Sequence, residues 1–476
     1  MKRQIKLRER AWSALAALLA LAAVVSCGGG VVGSGGTGSP VGLAVGTVNG
    51  FGSVIVDGVA YDDRSAPVVE EIAPGQYVPS DVKLGDRVSV EYETLGVASL
   101  VHVEAALSGA VASSVSMGQF SMLGQTVTVN ASGATGPITQ FGGGYSQASD
   151  LRAGDSIEVH GLLVRQSDSS LIQATRIDKL AAAPDYLRVT GIVSKLSNSG
   201  AVTLVLGGLT VDATGATVLP ATTALANGQT VTVLALPGSL AQPSADTWRL
   251  QAAQIRIREL RGEGLDDSVS GSVSNLDALA KTFTLGSLRV NYSTVTPVTT
   301  TLANGQYVLV RGRVGADGVL AALSLTIRDA GADDEAELRG NISAYDPATG
   351  RFSVRDVMVD ASGAIPQGCP PTGLANGLYV EVEGSVSSSG VVASKVQCEN
   401  EPSGASVERE GVAAAVDIAG MSFSLVPEKG AAVSVRWTST TYFGGVKPDT
   451  LAGKSVKVEG SLVDGVLIAS KIKVDD

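Results

Sequence analysis

Three observations predict an all-β chain built from about six copies of one small unit. A Gly-led alternating segment recurs from Gly85 (GDRVSVEY), Gly154 (GDSIEVHG), Gly228 (GQTVTVLA), Gly305 (GQYVLVRG), Gly377 (GLYVEVEG) and Gly453 (GKSVKVEG). These segments follow one another at 69, 74, 77, 72 and 76 residues, a period long enough for one supersecondary unit each. The composition agrees: 58 of 476 residues are Gly, only 4% are aromatic, and 17% are charged where about 25% is ordinary. Such a chain is too poor in charge for a coiled coil or a charged helical bundle, and suits short strands joined by tight turns.

Within a unit the elements come in a fixed order. A first strand opens at Gly46, Gly109, Gly191, Gly271, Gly340 and Gly411, each followed by small or β-branched residues. A hairpin pair follows, as in Thr282–Leu285 with Leu288–Asn291. The Gly-led strand is next, and in four copies a second Gly stands seven positions on, at Gly161, Gly312, Gly384 and Gly460. Its alternation has a period of two, Val inward and Glu or Lys outward. A closing strand begins near Leu171, Leu320, Val391 and Val466. Asp57-Gly58, Asp317-Gly318 and Asp464-Gly465 are the dipeptides that two-residue hairpin turns favour. Five strands in about 70 residues predict a small OB-like barrel. An immunoglobulin-like sandwich needs about seven strands and 100 residues, and a propeller blade only four strands. The predicted units are 42–107, 108–183, 184–267, 268–334, 335–406 and 407–476, strung as a rod of serial domains.

Ahead of them lies an address. Lys2, Arg3, Lys6, Arg8 and Arg10 form a positive region, Ala11 to Val25 is uncharged and mostly Ala and Leu, and Val24-Val25-Ser26-Cys27 follows. That is the layout of a secretory signal, too short for a comfortable membrane span. Its end resembles a bacterial lipobox. The resemblance implies cleavage of residues 1–26, acylation of Cys27 and, with Gly28 rather than Asp next, an outer-membrane lipoprotein facing the periplasm or the cell surface. Losing residues 1–26 removes five positive charges and Glu9, so the formal charge of −11 becomes −15. An acidic chain opposes binding to nucleic acid. Residues 27–41 are a Gly-rich tether after the lipidated Cys, spanning roughly 20–25 Å.

The stretch Gly46 to Asp62 (GTVNGFGSVIVDGVAYD) resembles the opening motif of a bacterial lipoprotein family, that of the domain of unknown function 5666, in repeated copies. Leu151–Val159, with its LxxGDxVxV-like spacing, resembles the same family. The likeness covers most of residues 42–476 and is strongest in the first copy. It implies address and architecture, since that family carries no established activity. The pattern GxxVxVxG, then a turn, also resembles the last two strands of periplasmic OB folds.

The inventory for chemistry is thin. Cys369 and Cys398 both fall in the fifth unit, and in an exported chain such a pair reads as a disulfide. His102 and His160 have no ligand partner at a metal-binding spacing and read as two histidines on surface strands. No cofactor and no metal site is expected. Asp62-Asp63 and Asp266-Asp267 are the paired carboxylates that a glycosidase-like hydrolase could use, but both sit where turns between units are expected. The run Asp329 to Glu337 reads as a solvated linker, since it lacks the calcium-loop pattern. Trp437, Tyr442 and Phe443 either stack on sugar rings or fill the last barrel, the core being favoured. The expected function is a lipid-anchored envelope protein whose repeats act as a binding or structural module and not as an enzyme. Its partners would be the membrane, through the lipid on Cys27, and a polysaccharide or another envelope protein. The alternative is an envelope hydrolase using paired carboxylates.

Overall fold

In the computed structural model the described residues are 41–474, apart from 65, 134, 166–169, 245–246, 261–264, 296–301, 329–334, 400–405, 428–431, 439–440 and 464–465. Cys27, the signal and the tether therefore lie outside the described residues. The fourth unit shows the plan most plainly. Its strands are Asp267–Asp277, Thr282–Leu285, Leu288–Asn291, Tyr307–Val314 and Val319–Arg328. The first pairs antiparallel with the second and the fourth, the second with the third, and the fourth with the fifth. The third then runs parallel to the fifth and closes the barrel. This order, 1-2-3-5-4-1 with one parallel closure, is that of an OB-type barrel. The third, fifth and sixth units repeat it. In the second, one isolated bridge, Val111 to Met122, joins strands 1 and 2; in the first, an extra hairpin, Val68–Ala73 with Gln76–Pro79, lines the fifth strand.

Both repeating glycines have a steric reason. Gly85, Gly154, Gly228, Gly305, Gly377 and Gly453 all hold φ between +77° and +91°, a left-handed turn that launches the fourth strand. Gly161, Gly312, Gly384 and Gly460 sit where the pairing of strands 4 and 5 slips by one residue. A Cβ on any of them would stand 2.0–2.6 Å from a carbonyl oxygen of the partner strand. The bulge needs glycine. The turn at Asp57-Gly58 has both residues at positive φ, as a two-residue hairpin requires.

The barrels do not form a serial rod. The first strand of barrel 1, Gly42–Phe51, runs parallel to the first strand of barrel 4 at Ala44 and Val45, and to that of barrel 5 at Gly50 and Phe51. Barrels 1, 4 and 5 thereby join into one 18-stranded sheet system, and barrels 2 and 3 into one of 14 strands through Leu107 and Ser108. The apolar cores merge differently. Barrels 1 and 5 share one core, with Phe51, Val54 and Tyr61 packed among Leu338, Phe352 and Val382. Barrels 2 and 3 share another, while barrels 4 and 6 keep their own. An OB barrel has an exposed strand edge at the bend of its first strand, and pairing that edge with another barrel satisfies backbone groups that would otherwise face water. Barrel 1 uses its edge twice and becomes a hub.

Candidate functional site

Each barrel turns its Val-rich face inward and its charged positions outward, and the outward charges meet in seams between barrels. One seam joins barrels 1, 2 and 3. In barrel 2 the fourth strand, Ser156–Arg165, carries Glu158 and His160, each directly opposite Asp178 and Arg176 on the fifth. His160 is fully buried there, which corrects its expected place on a surface strand. Its Nε2 lies 3.3 Å from Glu158 Oε1 and 3.4 Å from Asp86 Oδ1 of barrel 1. Burial works against charging His160, but Asp86 and Glu158 outweigh it and lift its pKa to about 9. Across the seam the Glu70 carboxyl of barrel 1 neighbours that of Glu158. Burial and then the neighbouring Glu158 charge raise Glu70 to about 7. Burial acts the same way on Glu158, yet His160 and Arg188 hold it down at about 2. From barrel 3, Arg188 donates to the carbonyl of Glu71, whose carboxylate accepts from Gln254 at 2.8 Å and Arg256 at 2.9 Å.

A second seam joins barrels 1 and 4. Buried Asp57, in the hairpin turn of barrel 1, accepts from the Thr47 N–H, from Ser270 Oγ and from Tyr307 Oη, while Arg328 donates to its carbonyl. Beside it is a cavity of about 40 Å³ whose polar lining includes Thr47, Asn49, Asp57, Gln140, Tyr307 and Arg328. That is room for about three waters, not for a sugar ring. Asp266 pairs with Arg313 at 2.8 Å, and Asp267 opens the first strand of barrel 4, accepting from the Leu43 N–H at 3.0 Å. Asp267 is therefore a buried seam residue and not part of an exposed turn. Burial lifts it to about 6 against the pull of that hydrogen bond.

The third seam joins barrels 5 and 6. Lys471, 1% exposed, donates to Glu381, which is 0% exposed. Arg339 reaches Glu381 at 3.1 Å and Glu459 at 3.0 Å. Burial and then the Glu381 charge raise Glu399 to about 7, with Lys471 and Arg339 pulling the other way. Glu381 Oε2 and Glu399 Oε1 accept no hydrogen bond among the described residues. Their cations stand off at 3.8 Å and 3.9 Å.

Of the other sequence-predicted residues, Cys369 and Cys398 form a disulfide 29 residues apart, tying the loop before the fourth strand of barrel 5 to the end of its fifth. Cys369→Ser is expected to destabilise that barrel by about 3–4 kcal/mol, read as a lower urea midpoint that reductant reproduces in the wild type. His102 packs its ring edge-on to Tyr77, and burial lowers its pKa. Asp62 is held by Arg64 two residues on, while burial raises the pKa of Asp63, the neighbouring Asp62 charge adding to the effect. Trp437 is buried between Phe423 and Phe443 in the core of barrel 6. Of the acidic run, Glu335 and Glu337 begin barrel 5, and residues 329–334 lie outside the described residues. Among the described residues no group of three or more His, Cys, Asp or Glu is arranged for a metal ion. Also among them, no helix is long and apolar enough to cross a membrane.

Sequence reasoning missed the seam residues Asp57, Glu70, Glu158, Glu381 and Lys471. The available signal was the density of charge on outward strand positions in a chain otherwise poor in charge.

Among curated proteins none matches the chain. A solved structure described as drosophila Unr CSD456 aligns at 14% identity over 44% of this chain and 96% of that one, with a TM-score of 0.12. The fold assignment rests on the strand pairings above. The family model of the domain of unknown function DUF5666 matches residues 108–178, 190–240, 270–326, 339–397 and 410–473. Those are barrels 2 to 6; the match does not include barrel 1, where the motif likeness reads strongest. With more than half of its length matched in five copies, the chain belongs to the DUF5666 family.

Proposed function

We propose that this protein is a lipid-anchored component of the bacterial cell envelope whose clustered barrels act as a binding or structural module, not as an enzyme. The observation that carries the module reading is the use of the charged outer faces: they are spent on holding barrel to barrel, and a cavity at their junction has room for water alone. The anchor reading rests on the lipobox-like end at Cys27. A cysteine with two or three acyl chains stays in a membrane where one chain gives only marginal residence. The acidic barrels then need no lipid-binding face of their own, and a polysaccharide or a second envelope protein is the partner they would meet.

The pair nearest to what a carboxylate hydrolase requires is Glu70 with Glu158, whose environments push their pKa values apart. Glycoside hydrolysis sets its two acids about 5–5.5 Å apart or more, across a cleft that admits a sugar, whereas this pair lies in a seam between packed barrels. Cys27→Ala is expected to abolish labelling by radioactive palmitate and to leave the signal uncleaved by the lipoprotein peptidase. Wild-type protein recovered unlabelled from the aqueous fraction, with another processed N-terminus, would overturn the anchor.

A further inference from the structure

In barrels 1 to 5 the second and third strands are joined by two residues, and each of these turns rests on a sister barrel. Asp57 of barrel 1 accepts from Tyr307 of barrel 4 at 2.7 Å. Gly124 of barrel 2 accepts from the Gly208 N–H of barrel 3 at 2.8 Å, so the turns of those two barrels meet each other. Ser287 of barrel 4 accepts from the Thr230 hydroxyl of barrel 3 at 2.7 Å, and Arg355 of barrel 5 lies over the Phe51 ring of barrel 1. Barrel 6 departs from this pattern. Its second and third strands, Ser422–Val426 and Val433–Arg436, are joined by six residues. Val426 stands where the other turns begin, opposite Val412 of the first strand, and the two are 43% and 45% exposed. Ile418 and Met421 are exposed at the other end of the same hairpin. Of fourteen exposed large apolar side chains among the described residues, four fall on this one hairpin. A cross-strand valine pair open to water, at a position that sister barrels cover elsewhere, marks an interaction face.

We propose that this face takes a second copy of the chain, barrel 6 against barrel 6, about a two-fold axis. Barrels 2 and 3 already meet that way within one chain. Leu107 pairs with Val189, each two residues before the opening glycine of its barrel, and Gly124 meets Gly208, each the second residue of its turn. The flanking contacts exchange as a two-fold demands: Ser108 lies opposite Arg188, and the Thr190 N–H donates to the Ala106 carbonyl at 2.8 Å. Barrels of this type thus dock through equivalent residues. On barrel 6 the residues suit a self-match, because Val412, Val426, Ile418 and Met421 are uncharged and an apolar face complements its own copy. Side chains carry the contact and strand edges do not. Arg409 stands at the position of Leu107 and Val189, where two copies would set like charges face to face. Both copies are acidic and repel at a distance, so association should strengthen as salt screens that repulsion. The proposal adds a partner to the module reading and does not depend on what else the module binds.

The test is sedimentation velocity of the processed full chain in detergent micelles. The dimer fraction should grow with protein concentration, and grow further as salt rises from about 0.05 M to about 0.5 M. Val426→Glu should weaken association by about tenfold or more, since each dimer would bury the new charge twice. Leu279→Glu, at a still more exposed apolar residue of barrel 4, should leave association unchanged. If Val426→Glu unfolds barrel 6, Val426→Thr, of the same shape, should keep it folded and still weaken the dimer. Ser424→Cys, opposite Ala414 on the outward face of the hairpin, should cross-link chain to chain on oxidation, and adding Val412→Glu should abolish the cross-link. A chain that stays monomeric under all these conditions, leaving the face to a different protein, would overturn the proposal. So would a dimer indifferent to both substitutions at Val426.

Discussion

Lys471→Met is expected to free barrel 6 from barrel 5 at a cost of about 3–5 kcal/mol, the range for breaking one side of a buried ion pair. The size comes from what is left behind. Glu381 has no exposed surface and Glu459 little, so neither carboxylate can recover its lost partner from water. Glu399 stands 3.9 Å from the same ammonium and loses that compensation too. Barrel 6 keeps its own core around Phe423, Trp437 and Leu451, so it should stay folded while its face toward barrel 5 opens. Hydrogen exchange would then rise in Tyr379–Ser387 and Val466–Val474 ahead of the rest of either barrel. Adding Glu381→Gln should recover part of the loss, because the uncompensated charge goes with it. An unchanged exchange pattern in Lys471→Met would show that the seam contributes nothing.

Phe51→Ala is expected to cost about 3–5 kcal/mol and to weaken two barrels far apart in the chain. Phe51 is 3% exposed, pairs in register with Leu338 of barrel 5, and carries Arg355 over its ring at 5.8 Å. Its side chain belongs to the core that barrels 1 and 5 share. Amide protection should therefore fall in Val357–Asp360 and Glu335–Asp346 as well as in barrel 1. A chain of independent units would confine the loss to barrel 1, and that outcome would refute the shared core. For the same reason, cutting the chain after residue 334 should leave barrel 1 less stable, since the cut removes half of the core it packs in.

What the sequence makes legible and what it hides divide along the range of the interactions. The strand set of each barrel could be read because its signals are local: Gly377 for the turn, Val380 and Val382 for the inner face, Gly384 for the bulge. The outward assignment of Glu381, Glu459 and Lys471 is also right with respect to their own barrels. Outward from a barrel is not solvent here: all three are buried against the neighbouring barrel. A repeat array is expected to touch only its sequence neighbours, whereas Leu43 meets Asp267 across 224 residues and Asp57 meets Tyr307 across 250. No periodicity encodes such partners. Nothing in the spacing of Glu70 or of Glu158 names the other, since each sits on a strand like its counterparts in other copies.

The hub position of barrel 1 sets an order on synthesis. It is the first barrel made, and the strand edges and core faces it offers belong to barrels 4 and 5, which begin at Asp267 and Glu335. At about 5–20 residues per second, the 224 residues between Leu43 and its partner Asp267 take on the order of 10–45 s to appear. Throughout that interval Phe51 and the Ala44–Val45 edge have no native cover, which is the situation that favours strand-edge association between chains. The first barrel to emerge is thus among the last to be completed, and the chain must hold an open edge in waiting until its second half arrives.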